Sequence, residues 1–159
     1  MKRQITVADA IFGGGSLLTF LFSFFDFIGA GSFGASAWAS GVFPLGTIPA
    51  ILGLLGVIAV VLDLTGAAAL PDQVLTLNWR QIRLTWGLTA AAIMLAYLIV
   101  DKGPSVGLKF GGWIMLIGSL LMATGSVMAV LGKGTEVVNL GTKPSGGPAT
   151  PPPPAPPAS

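Results

Sequence analysis

The sequence predicts an all-α fold: a four-helix transmembrane bundle followed by a disordered proline-rich C-terminal tail. Three observations carry that prediction. The chain is 53% hydrophobic and only 9% charged, whereas a soluble domain has about a quarter of its residues charged. Too few polar side chains remain to clothe a water-facing surface. Four apolar runs, at about 7–28, 44–62, 80–100 and 110–131, are each long enough to cross a bilayer core as a helix. Beyond residue 133 the composition turns to glycine and proline, ending in a run from Pro151 to Pro157 broken only by Ala155. Such a tail cannot bury a core and favours extended polyproline II. The organisation expected is therefore a membrane domain over 1–133 and a tail over 134–159.

The first span opens with Thr6 and Asp9, a capping pair that also places an acid at the positive end of the helix dipole. A basic start followed by an apolar run also fits a cleaved signal peptide. The run outlasts a typical signal core and three further spans follow, which favours a retained helix. Gly29 to Val42 is a small-residue connection carrying Trp38 but no lysine or arginine. Pro44 then opens the second span, and Asp63 closes it. The longest internal connection, Asp63 to Asn78, contains the turn signal Leu70-Pro71-Asp72. Asn78 with Gln81 caps the third helix, and Asp101-Lys102-Gly103-Pro104 stops it.

Lysine and arginine set the orientation. With four spans both ends share one side, which collects Lys2, Arg3, Arg80, Arg83, Lys133 and Lys143, against Lys102 and Lys109 on the other. The positive-inside rule then makes both termini cytoplasmic in a multi-pass protein of the cytoplasmic membrane. Asp26 falls at the far interface, facing water or headgroups rather than lying mid-membrane.

The most specific pattern is in the fourth span, where Gly111, Gly118, Gly125 and Gly132 recur every seven residues, with Ser119 and Ser126 beside them. On a helix this makes a smooth ridge that a second helix can approach closely. Tight packing within the bundle is the expected use; a self-association face, making a homo-oligomer, is the competing one. Trp79, Arg80, Arg83 and Trp86 form a belt-and-anchor cluster at the membrane interface, with Asp26 and Trp38 as interface residues at the other end.

Chemistry is largely excluded. Cysteine and histidine are both absent, so no thiol nucleophile, histidine triad or Cys/His metal site exists. No enzyme activity, cofactor or metal is expected. A net charge of +2 without a basic cluster argues against nucleic acid. The remaining readings are a non-enzymatic accessory or scaffold protein packing with other membrane proteins, or a small pore or transporter acting as an oligomer. The second draws on Ser16, Thr19 and Ser23 in the first span and Ser119, Thr124 and Ser126 in the fourth. A third reading is lipid binding at the Trp79–Trp86 cluster. The proline tail could offer a preformed shape to a soluble partner's groove, but with no charged or aromatic residue flanking the run a flexible, non-specific extension is the expected use.

At FSFFDF, SAWASGVFPL and LNWRQIRL the chain resembles a group of small uncharacterised actinobacterial four-span integral membrane proteins with a Pro-rich cytoplasmic tail. That resemblance implies four spans and a Ser-Ala-Trp element in the first outer loop. It brings no catalytic or binding residues. The group's first span often ends in Pro-Trp where this chain has Phe25-Asp26.

Overall fold

The computed structural model describes residues 5–66, 73–74, 76–100 and 105–138. The Leu70-Pro71-Asp72 turn, the Asp101–Pro104 stop, the basic start and the tail beyond Val138 lie outside the described residues. The chain is mostly helical: α1 (Val7–Phe22), α2 (Thr47–Thr65), α3 (Trp79–Ile99) and α4 (Phe110–Val130). Helices α2, α3 and α4 are long and apolar enough to cross a membrane, while α1, at 16 residues, is shorter.

The all-α expectation needs correction, because short strands are present. β1 (Asp26–Ala30) lies between β2 (Phe33–Ser36) and β5 (Gly107–Leu108) in an antiparallel sheet. A second pair, β3 (Gln73–Val74) and β4 (Leu77–Asn78), leads into α3. The first helix thus ends at Phe22 instead of running to residue 28. Asp26 and Phe27 alternate exposed and buried, as a strand requires and a helix does not. The glycines of the hairpin permit a very close approach: a Cβ on Gly29 would fall 2.0 Å from the Phe33 carbonyl oxygen. Gly31 makes the turn with a φ of +56°, which costs glycine nothing.

Local chemistry sets the helix ends. The Thr6 hydroxyl accepts from the Asp9 N–H at 3.2 Å, and Asp9 accepts in return from the Thr6 N–H. Asn78 and Gln81 make the same reciprocal pair at 2.9 Å each way. Helix α2 starts at Thr47, not at Pro44, and the Thr47 hydroxyl donates to the Ala37 carbonyl at 2.7 Å. Gly132 closes α4 with a φ of +67°, its N–H and that of Lys133 donating back to Ala129 and Met128. This is a left-handed cap that satisfies the orphan carbonyls of the last turn.

Residues 134–138, expected to belong to the tail, fold back on the start of α1. Val7 N–H donates to the Glu136 carbonyl, Ala8 N–H to that of Gly134, and Val138 N–H to that of Ile5. The physical reason is local: the first N–H groups of a helix have no intrahelical acceptor, and these carbonyls supply two.

The helices pack antiparallel, with α1 between α2 and α4, and α3 against α4 on its other side. Small residues allow the close approach. A Cβ on Gly53 would meet the Ser16 carbonyl oxygen at 2.9 Å, and one on Gly87 the Met122 carbonyl oxygen at 2.8 Å. Two apolar clusters fill the rest. Phe27, Ala37, Val42, Ala50, Met94, Met115 and Leu116 lie beneath the sheet; Phe12, Ala90 and Met122 lie nearer the opposite end.

Candidate functional site

The one concentration of buried charge among the described residues lies at the end where α1 begins. Asp9 sits in the first turn of α1, Asp63 in the last turns of α2, and Arg83 on the second turn of α3. The antiparallel order brings all three to one level. Arg83 Nη1 donates to Asp9 Oδ1 at 2.7 Å, and Nη2 donates to Asp63 Oδ2. The arginine side chain is 8% exposed, against 31% for Asp9 and 20% for Asp63. Its guanidinium carbon lies 5.6 Å from the centre of the Phe12 ring, within cation–π range. Asp9 is engaged twice, since its Oδ2 also accepts from the Thr6 hydroxyl at 2.7 Å.

The electrostatics favour this grouping. Asp9 suits the positive end of α1. Asp63 near the end of α2 and Arg83 near the start of α3 each oppose the dipole of their own helix, and each offsets the other. A planar guanidinium presents separate N–H donors to two carboxylates from two helices, which an ammonium cannot do in the same geometry.

The interface cluster expected from the sequence is divided by the fold. Arg80 is exposed, and Arg83 turns inward instead of snorkelling toward headgroups. Trp79 and Trp86 meet edge to face at 5.7 Å, with Trp86 packed against the Phe12 cluster. The spacing held a clue. Trp79, Arg83, Trp86 and Ala90 fall at i, i+4, i+7 and i+11, one helical stripe, and the stripe continues into the buried side of α3. The partners Asp9 and Asp63 carried no local signal, because only the helix order joins them to Arg83.

At the opposite end, Asp26 is exposed at the start of β1, and its carboxylate covers Gly34. Trp38 is 40% exposed and stacks on Phe24 at 5.7 Å. Its indole N–H donates to the Ser23 hydroxyl at 2.9 Å, which donates in turn to the Phe20 carbonyl at 2.6 Å. Trp38 therefore ties the connection to the end of α1.

Three of the four heptad glycines run along α1. A Cβ on Gly111 would meet the Phe22 carbonyl oxygen at 2.9 Å, one on Gly118 the Thr19 hydroxyl at 2.6 Å, and one on Gly125 the Phe12 amide nitrogen at 2.5 Å. Gly15 of α1 answers Gly118, its own Cβ position lying 2.5 Å from the Gly118 carbonyl oxygen. Ser119 and Ser126 are buried, Ser126 against Gly87 of α3. Gly132 differs from the expected ridge: it lies past the helix, where a Cβ would touch nothing within 4 Å, and serves as the cap.

The hydroxyls that suggested a pore are satisfied by their own helices. Ser16 donates to the Phe12 carbonyl at 2.8 Å, Thr19 to that of Gly15 at 2.9 Å, and Ser119 to that of Leu116 at 2.8 Å. Ser126 and Thr124 bond the same way at 2.8 Å each, and Thr124 faces outward. No protein-family model, curated protein or solved structure matches the chain.

Proposed function

We propose that this chain is a four-span protein of the cytoplasmic membrane, both termini cytoplasmic, that acts without catalysis as an accessory or scaffold subunit for other membrane proteins. Helices α2, α3 and α4 supply three spans by length and composition, and α1 lies among them as the fourth. The lysine and arginine distribution supports the orientation. The observation that carries the functional reading is the state of the interior. Helices meet backbone to backbone at Gly15, Gly118 and Gly125, the inward hydroxyls bond their own carbonyls, and Arg83 is held by two carboxylates.

Among the described residues, the side chains that face inward from α1 and α4 are thus engaged within the protein, which supports a role exerted through its outside. What remains for function is the outward surface: Leu17, Leu21, Ile51, Leu55, Leu88 and Leu120 are all exposed. The tail supplies a second contact, to a soluble partner. A photocrosslinking residue at Leu88 or Leu120 in native membranes tests the reading. A discrete heavier adduct with another membrane protein is expected; lipid adducts alone at both sites, with isolation as a lone monomer, refute it.

A further inference from the structure

The sheet end of the molecule is more aromatic on its outside than a water-facing hairpin should be. Phe33 at the hairpin is 83% exposed, Phe43 67% and Phe110 66%, with Phe24, Phe25 and Trp113 half exposed around them. From residue 27 to residue 62 the chain contains no Asp, Glu, Lys or Arg. We infer that this β-cap is immersed in the headgroup–acyl boundary of the outer leaflet, its outward rings packed in lipid. The inference rests on the membrane reading above.

Three physical features point to lipid as the occupant. The 16 residues of α1 span only about 24 Å of a hydrocarbon core ~30 Å thick, so the sheet that follows completes the crossing. Irregular backbone survives at such depth only if its polar groups are satisfied within the protein. Here β1 is paired on both edges. The Phe27 carbonyl accepts from Lys109 N–H at 3.0 Å, the Ser23 carbonyl from Ala37 N–H at 3.1 Å, and the Ala37 carbonyl from Thr47. Among the described residues the ionisable groups of the cap, Asp26 and Lys109, lie where they can snorkel: Asp26 is exposed and the Lys109 ammonium donates to the Gly31 carbonyl at the turn. A tryptophan such as Trp113 prefers this depth of the bilayer, and the phenylalanine rings around it carry no polar group for the acyl chains to strand.

The chain contains no cysteine, so a single spin label reports one site. Phe33→Cys and, separately, Phe110→Cys are labelled in the full chain, reconstituted in phosphatidylcholine–phosphatidylglycerol vesicles, and their collisions with oxygen and with a water-soluble nickel chelate are measured. Leu120→Cys, on the exposed face of α4, is the lipid reference, and Glu136→Cys the water reference. The expected result is an oxygen-to-nickel ratio at both cap sites several-fold above that of Glu136→Cys and approaching that of Leu120→Cys. A ratio equal to the water reference overturns the inference. So does shielding from both reagents, which would mean a protein contact. If Leu120→Cys itself behaves as water-exposed, the membrane reading fails, a result distinct from failure at the cap alone.

Discussion

Replacing Arg83 by methionine removes the guanidinium from two part-buried carboxylates while keeping most of the side-chain volume. Arg83 is 93% covered and joins α3 to both α1 and α2. Deleting one member of a buried ionic group costs about 3–5 kcal/mol, most of it the burden of leaving the partners behind. Asp9 and Asp63 keep 31% and 20% of their side-chain exposure, so water offsets part of that loss. The lower end, about 3 kcal/mol, is therefore expected, or about a hundredfold in the folding equilibrium. The assay is unfolding in mixed micelles of rising dodecyl sulfate fraction, followed by tryptophan fluorescence. Arg80→Met, on an exposed residue, provides the control and should change stability by less than about 0.5 kcal/mol. The triple variant Asp9→Asn, Asp63→Asn, Arg83→Met should recover most of the loss, since removing the whole ionic group is often near neutral. If Arg83→Met unfolds within about 0.5 kcal/mol of the parent, the three-helix junction contributes nothing and the reasoning is refuted.

Gly118→Leu should disrupt assembly, because its Cβ position already lies 2.8 Å from the Gly15 carbonyl oxygen and the Thr19 amide. Gly14→Leu, where a Cβ meets nothing within 4 Å, should keep normal yield; monodisperse yield on gel filtration separates the two. Gly132→Ala should cost about 1 kcal/mol through its left-handed backbone, although the added Cβ would meet nothing within 4 Å, and the same unfolding assay reads this. Ser23→Ala strips the Trp38 indole of its acceptor and should cost about 1 kcal/mol, with altered tryptophan emission as the specific mark.

Legibility in the sequence followed the range of the interactions. Both capping pairs, Thr6 with Asp9 and Asn78 with Gln81, span three residues and could be read directly. The glycine repeat could be read as a ridge, but which helix it meets depends on bundle order. Gly132 shows the limit of a period: it keeps the spacing and sits outside the helix. The sheet was hidden because β1 takes one neighbour from residues 107–108, some eighty positions away, and its apolar residues mimic a continuing span. The inward turn of Arg83 is illegible for a related reason. An arginine near a tryptophan pair suits an interface; its turn inward follows from Asp9, Asp63 and the Phe12 ring, which only the order of the helices brings beside it.

The backbone bonds between residues 5–8 and 134–138 fasten the beginning of the first helix to the stretch that follows the last one. The bonded stretch ends at Ala8, one residue before Asp9, so the seam adjoins the junction of three helices. A pull on the backbone at Val138 would thus be borne by a seam of the bundle itself.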